Sequence, residues 1–166
     1  MVFLAISEDQ IKDIINEILV YPLALFSLKI KKSSLSSLIL EVELDHLAQR
    51  TGSASLQDCE VVSKLLSERL DALDPEGNFQ LRVQSAGAER KLKLPEDLLR
   101  FQGLLAQLEV SGEDKKTLQG VFKILEVKDD KIRLEPFHGN GKKAKPSSIV
   151  VTELKKVKKG NLYIHI

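Results

Sequence analysis

Apolar positions along the chain follow first a helical and then a strand period. Ile11, Ile14, Ile15, Ile18 and Leu19 fall on one face at helical spacing and predict an amphipathic helix. Ser7-Glu8-Asp9-Gln10 just before them has the form of a capping box, in which the Ser hydroxyl and the Gln side chain satisfy free amides at a helix start. Pro22 takes the chain out of helix. Phe26, Leu28 and Ile30 alternate with Ser27, Lys29 and Lys31, the signature of a half-buried strand. After the Ser-rich turn "KSSLSS", Leu38, Leu40, Val42 and Leu44 alternate with Ile39, Glu41, Glu43 and Asp45, so the two runs read as a hairpin. Ser55 is placed to cap a second helix with Asp58 and Glu60 near its positive end. Its apolar stripe reads as Cys59, Val62, Leu65, Leu66 and Leu73. Pro75 and Gly77 end it, and Phe79, Leu81 and Val83 form a third alternating strand. The order helix–strand–strand–helix–strand predicts two helices covering one face of a small sheet.

The texture changes after "LRVQSAGAERKLKLPEDLLRFQG", a strand that ends at Gly87, passes through charged residues and restarts at Pro95. Pro95-Glu96-Asp97 has the composition of a first helical turn. The runs "LLAQLEV", "TLQGVFKIL", "KIRLEPF", "IVV" and "NLYIHI" follow, separated by the turns "SGEDKK" and "KDD" and the loop "HGNGKKAKPSS". Five short strands in so little chain predict a small β-barrel. The expected fold is therefore α+β in two domains: residues 1–91, and a β-barrel over residues 92–166.

Charge sharpens this division. Residues 1–90 hold 9 Lys+Arg against 14 Asp+Glu, a net of −5, while residues 91–166 hold 16 against 10, a net of +6. The basic half is the better match for an anionic partner. Cys59 is the single cysteine, so no internal disulfide forms, which fits a reducing compartment. The start "MVFLAISEDQ" lacks the basic region of a signal peptide, and "ILVYPLALFSL" is about half a membrane span and holds Pro22, so a cytoplasmic protein without a membrane partner is expected.

Signs of catalysis are weak. Cys59 lies on an apolar helix stripe, where a buried structural thiol is the ordinary outcome. His46, His138 and His165 have no neighbours at metal-ligand spacing. Glu41 and Glu43 point outward from a strand, as a solvated sheet face requires, and "GKKAK" lacks the pattern of a phosphate-binding loop. A non-enzyme without cofactor or metal is expected. Lys142, Lys143 and Lys145 in one loop, and Lys155, Lys156, Lys158 and Lys159 near the end, form clusters that attract phosphate without reading sequence. Phe137 and Tyr163 are sparse material for base stacking, which favours a backbone-binding surface.

The passage around Gly87 resembles the bacterial ribosome maturation factor RimP family, whose signature is a strand ending in Ser-Pro-Gly-x-Asp-Arg-Pro-Leu. Ser85, Gly87, Arg90 and Leu92 match it in register, Glu89 stands for Asp, and "LLRFQG" follows as a similar segment does in the family. Upstream, Leu56, Asp58, Cys59 and Ser63 match a family helix. Ala86 and Lys91 depart from it by replacing both prolines, which loosens the backbone there. The resemblance implies an N-terminal α/β domain and a C-terminal Sm-like barrel. It also implies a non-enzymatic factor that binds the immature small ribosomal subunit, touching rRNA and a ribosomal protein near the decoding region, and acts as a monomer. Ser85, Gly87, Glu89 and Arg90 become the expected hinge and partner interface, and the seven lysines the expected rRNA contacts. The alternative reading is an Sm-like RNA-binding module acting on small RNAs.

Overall fold

A computed structural model describes residues 6–34, 37–87, 89–112, 114, 116–139 and 148–164. The chain divides into two compact units, Met1–Gly87 and Ala88–Ile166. The described residues form three helices and two sheets, an α+β architecture.

In the first unit, α1 (Glu8–Ile18) starts at the expected capping box: Ser7 Oγ accepts from Gln10 N, and the Gln10 side chain accepts from Ser7 N. The strands β1 (Leu23–Ser34) and β2 (Ser37–His46) pair antiparallel, as the alternation predicts. The helix α2 (Leu56–Leu73) crosses over, so that β3 (Phe79–Ser85) joins β2 in parallel, giving the order β1-β2-β3. Leu40, Val42 and Leu44 of the central strand meet Ile11 and Ile15 of α1 and Val62, Leu66 and Leu70 of α2 in one core.

Two details depart from the predicted pattern. A bulge in the β1–β2 register between Leu25 and Ser27 shifts the alternation, so Leu23 and Leu25 pack on the core with Leu28 and Ile30, and Phe26 does not. On α2, Leu70 is buried, whereas Leu65 and Leu73 are exposed at 43% and 56%. A stripe matching one face at helical spacing runs Cys59, Val62, Leu66, Leu70.

The second unit opens with the short helix α3 (Glu96–Arg100), followed by β4 (Leu105–Ser111), β5 (Thr117–Lys128), β6 (Lys131–Pro136), β7 (Val150–Glu153) and β8 (Val157–Leu162). These make one antiparallel sheet in the order β7-β6-β5-β4-β8. Its opposite edges, β7 and β8, are joined by a single 3₁₀ turn, Leu154–Lys156. A flat sheet of this width would separate its edges by about 19 Å. Three linking residues reach at most about 14 Å. The sheet is therefore rolled, with its edges drawn together at that end. Its core is Leu92, Leu98, Phe101, Leu108, Phe122, Ile124, Ile132 and Leu134, among others.

The last strand starts at Val157, not within "NLYIHI" as expected. The β4–β8 register slips between Glu109, opposite Lys159, and Val110, opposite Val157, which leaves Lys158 as the extra residue of a bulge. Two adjacent exposed lysines hide the strand period from the sequence.

Candidate interaction site

The groups with catalytic potential are tied into structure. Cys59 is buried, and its thiol is pushed up by that burial and then by the negative charge of Asp58, which disfavours a reactive thiolate. Glu41 faces away from the helices, 3.2 Å from Lys31 and 3.9 Å from Arg82 on the flanking strands, while Glu43 lies opposite Ser27. Lys31, Glu41 and Arg82 form a row of charge pairs across the three strands. His46 Nδ1 accepts from Ala48 N and Gln49 N and holds a turn. Among the described residues no group of three His, Cys, Asp or Glu side chains is placed to hold a metal ion. No described helix is long and apolar enough to cross a membrane.

The passage around Gly87 is fastened separately at each of its ends. On the first unit, Ala86 N donates to Leu44 O, and Ser85 Oγ accepts from Ala54 N at 3.1 Å and from Gly87 N at 3.3 Å. Ser85 thus ties the end of β3 to the residue that precedes the Ser55 cap of α2. Gly87 adopts φ +87°, the left-handed conformation that glycine tolerates. Glu89 belongs to the second unit, where its carbonyl accepts from Asn161 Nδ2 at 3.5 Å. Arg90 O accepts from Leu162 N, Leu92 N donates to Gly160 O, and Lys91 bridges to Asn161. Residues 90–92 therefore ride the outer edge of β8 as a short added strand.

That placement changes the character of Arg90. Its side chain is only 3% exposed, with the guanidinium 5.7 Å from the centroid of the Phe101 ring. Arg100 lies over the same ring at 4.7 Å. Burial alternates along the segment: Glu89, Lys91 and Lys93 outward, Arg90 and Leu92 inward. This strand period was present in the sequence but concealed, because the inward residue at one position is an arginine. Asp97, also missed, is buried and accepts from Lys93 N at 2.8 Å, fixing the turn that enters α3.

Of the basic residues, Lys142, Lys143 and Lys145 lie outside the described residues. Lys155 and Lys156 sit on the 3₁₀ turn, and Lys155 Nζ is 3.1 Å from Glu153, whose carboxyl it holds below the usual range. Lys158 and Lys159 project from the β8 bulge into solvent. Lys159 and Asn161, with Gln107, Glu109 and Gln119 of the neighbouring strands, line a shallow cleft of about 200 Å³. This cleft offers positive charge and amide groups at a shallow surface, as a phosphate backbone requires. A larger cavity of about 580 Å³ lies beside Lys155, lined also by Lys131, Asp129, Asp130 and Glu153.

The profile of the RimP N-terminal domain matches residues 14–89. The ribosome maturation factor RimP of Leptospira biflexa serovar Patoc is 45% identical over 160 residues, covering 96% of this chain and 98% of that protein. The ribosome maturation factor RimP of Leptospira interrogans is 42% identical over 164 residues, covering 98% of this chain and all of its relative. With both units covered at this identity, the chain belongs to the RimP family of ribosome maturation factors.

Proposed function

We propose that this protein is a non-enzymatic assembly factor of the small ribosomal subunit, acting as a monomer in the cytoplasm without a cofactor. The observation that carries this reading is likeness along nearly the whole chain to proteins named ribosome maturation factors. The geometry is compatible with such a role: of the groups that could do chemistry, Cys59 serves in a core and Glu41 in a row of charge pairs, while the second unit presents exposed Lys158 and Lys159. In this proposal the two units are separately folding domains, and the rolled sheet of the second is a small Sm-like barrel. Ser85, Gly87 and Glu89 form the partner-facing passage, with Arg90 as its inward anchor. The lysines contact rRNA phosphates. The factor binds the immature subunit better than the mature one, stabilises a productive arrangement of RNA and a ribosomal protein, and leaves when maturation removes its site; only that difference in affinity can drive the cycle.

Co-sedimentation in sucrose gradients tests this directly. The protein is expected with small subunits from a strain lacking it and not with mature ones. Equal binding to both, or binding only to short uridine-rich RNA without subunits, would overturn the reading.

A further inference from the structure

Two lysines of the passage after Gly87, Lys91 and Lys93, stand outside the clusters that composition picks out, and the fold fixes where they point. Arg90 and Leu92, on either side of Lys91, are only 3% and 4% exposed. Leu92 N donates to Gly160 O and Leu162 N to Arg90 O, so the segment is held as a strand on β8. With alternate residues buried, strand geometry turns Lys91 and Lys93 outward, on the side that bears Asn161 and Lys159. The Asp97 carboxylate accepts from Lys93 N at 2.8 Å and fixes the end of the segment.

Register brings these two lysines to those of β8. Lys91 stands opposite Asn161 in antiparallel pairing, so Lys93 advances toward Lys159, two residues before Asn161. Lys91 and Lys93 are about 7 Å apart along the chain, and β8 runs about 5 Å to their side. A regular strand would turn only one of two consecutive residues outward, but the bulge at Lys158 leaves both Lys158 and Lys159 exposed. On the outward side of the added strand, β8 and β4, these four lysines meet two carboxylates, Glu89 and Glu109, a net of +2. Lys155 is held by Glu153 at 3.1 Å, whereas among the described residues Lys91, Lys158 and Lys159 form no ion pair.

We propose that Lys91, Lys93, Lys158 and Lys159 form one phosphate-binding patch for a single strand of RNA, with the carboxamides of Gln107 and Asn161 beside it for ribose hydroxyls. The choice of RNA rests on the proposed role in ribosome assembly; the patch rests on strand register. Like charges gathered this closely repel one another, and a polyphosphate relieves that repulsion while releasing its own counterions. The lysines stand on paired backbone, so binding has to order side chains only. The passage after Gly87 is then part of the RNA surface and not merely a connection between units.

The test titrates the full chain into a labelled single-stranded RNA of mixed sequence and about twelve nucleotides, followed by fluorescence anisotropy over a range of salt. One RNA is expected per chain. Lys91→Glu with Lys93→Glu should weaken binding by about tenfold or more near 0.1 M salt and flatten the log–log slope by about 1.4, from about 0.7 per lost contact on a single strand. Lys158→Glu with Lys159→Glu should do the same. Lys32→Glu with Lys64→Glu, an equal change of charge on the first unit, should do much less. Should the reversed charges unfold the added strand, as a melt would reveal, Lys91→Gln with Lys93→Gln must still flatten the slope. An unchanged slope at Lys91 and Lys93, two RNAs held independently by the two lysine pairs, or equal binding of an acidic peptide would each overturn the proposal. Co-sedimentation with immature subunits keeps the two readings apart: a chain that ignores subunits yet binds the probe through these lysines would sink the assembly role alone.

Discussion

Gly87 has nothing within 4 Å of the position a Cβ would take, so a substitution there meets no steric neighbour and acts through φ alone. Gly87→Val is expected to cost about 1–3 kcal/mol, and Gly87→Asn markedly less, measured by denaturant unfolding. Asp58 is a second residue with a separable effect. Its hydrogen bonds with Ser55, the backbone one first, hold its carboxyl below the ordinary value of 3.8. A depressed value in the folded state means stabilisation that is complete above 3.8 and lost as pH falls through the lower folded value. Asp58→Asn should therefore melt below the parent near neutral pH, with the gap closing as acid protonates the parent. A gap independent of pH would mean the charge plays no part.

At the scale of elements, legibility depended on whether period and caps survived intact. The helices α1 and α2 could be placed because Ser7 and Ser55 cap them and the apolar residues between keep helical spacing. The parallel pairing of β3 could not be read, since alternation is the same in either direction; only the α2 crossover decides it. Bulges defeated the reading at Phe26 and Lys158 by advancing the period one residue. Arg90 was read as part of a hinge and partner interface because a buried arginine is rare, yet Phe101 gives its guanidinium an aromatic face. Gly160 was equally silent. A Cβ there would stand 2.7 Å from Leu108 Cδ2 and 3.1 Å from Leu92 Cδ1, both in the core. Gly160→Ala should destabilise by about 1–3 kcal/mol through overpacking, read from thermal or denaturant melts. A partial rescue by Leu92→Val would locate the strain.

For the whole molecule, the consequence of residues 90–92 lying on β8 is that the place of a cut matters. Fragments 1–87 and 88–166 are expected to fold, the second with a circular dichroism spectrum dominated by β structure. A fragment beginning at residue 92 loses Arg90 from Phe101 and should melt lower than one beginning at 88. Identical melts would show the added strand to be dispensable. The candidate RNA surface was legible as composition but not as shape: the lysine clusters could be seen, while the division into a Glu153-paired Lys155 and a free-standing bulge could not. Lys158→Glu with Lys159→Glu should weaken small-subunit binding. The double change should also flatten the salt dependence by about 0.9 in log–log slope per lost contact on duplex-like RNA. Lys155→Glu should do less.

The hydrogen bonds from Leu162 N to Arg90 O and from Leu92 N to Gly160 O have a mechanical meaning as well. They set the entry and exit of the second unit side by side and antiparallel, as the Lys91–Asn161 bridge shows. A pull applied across that unit loads these bonds one after another, as in opening a zip, instead of all together in shear. The unit should yield at low force from this edge first, releasing the passage that follows Gly87 before the sheet gives way.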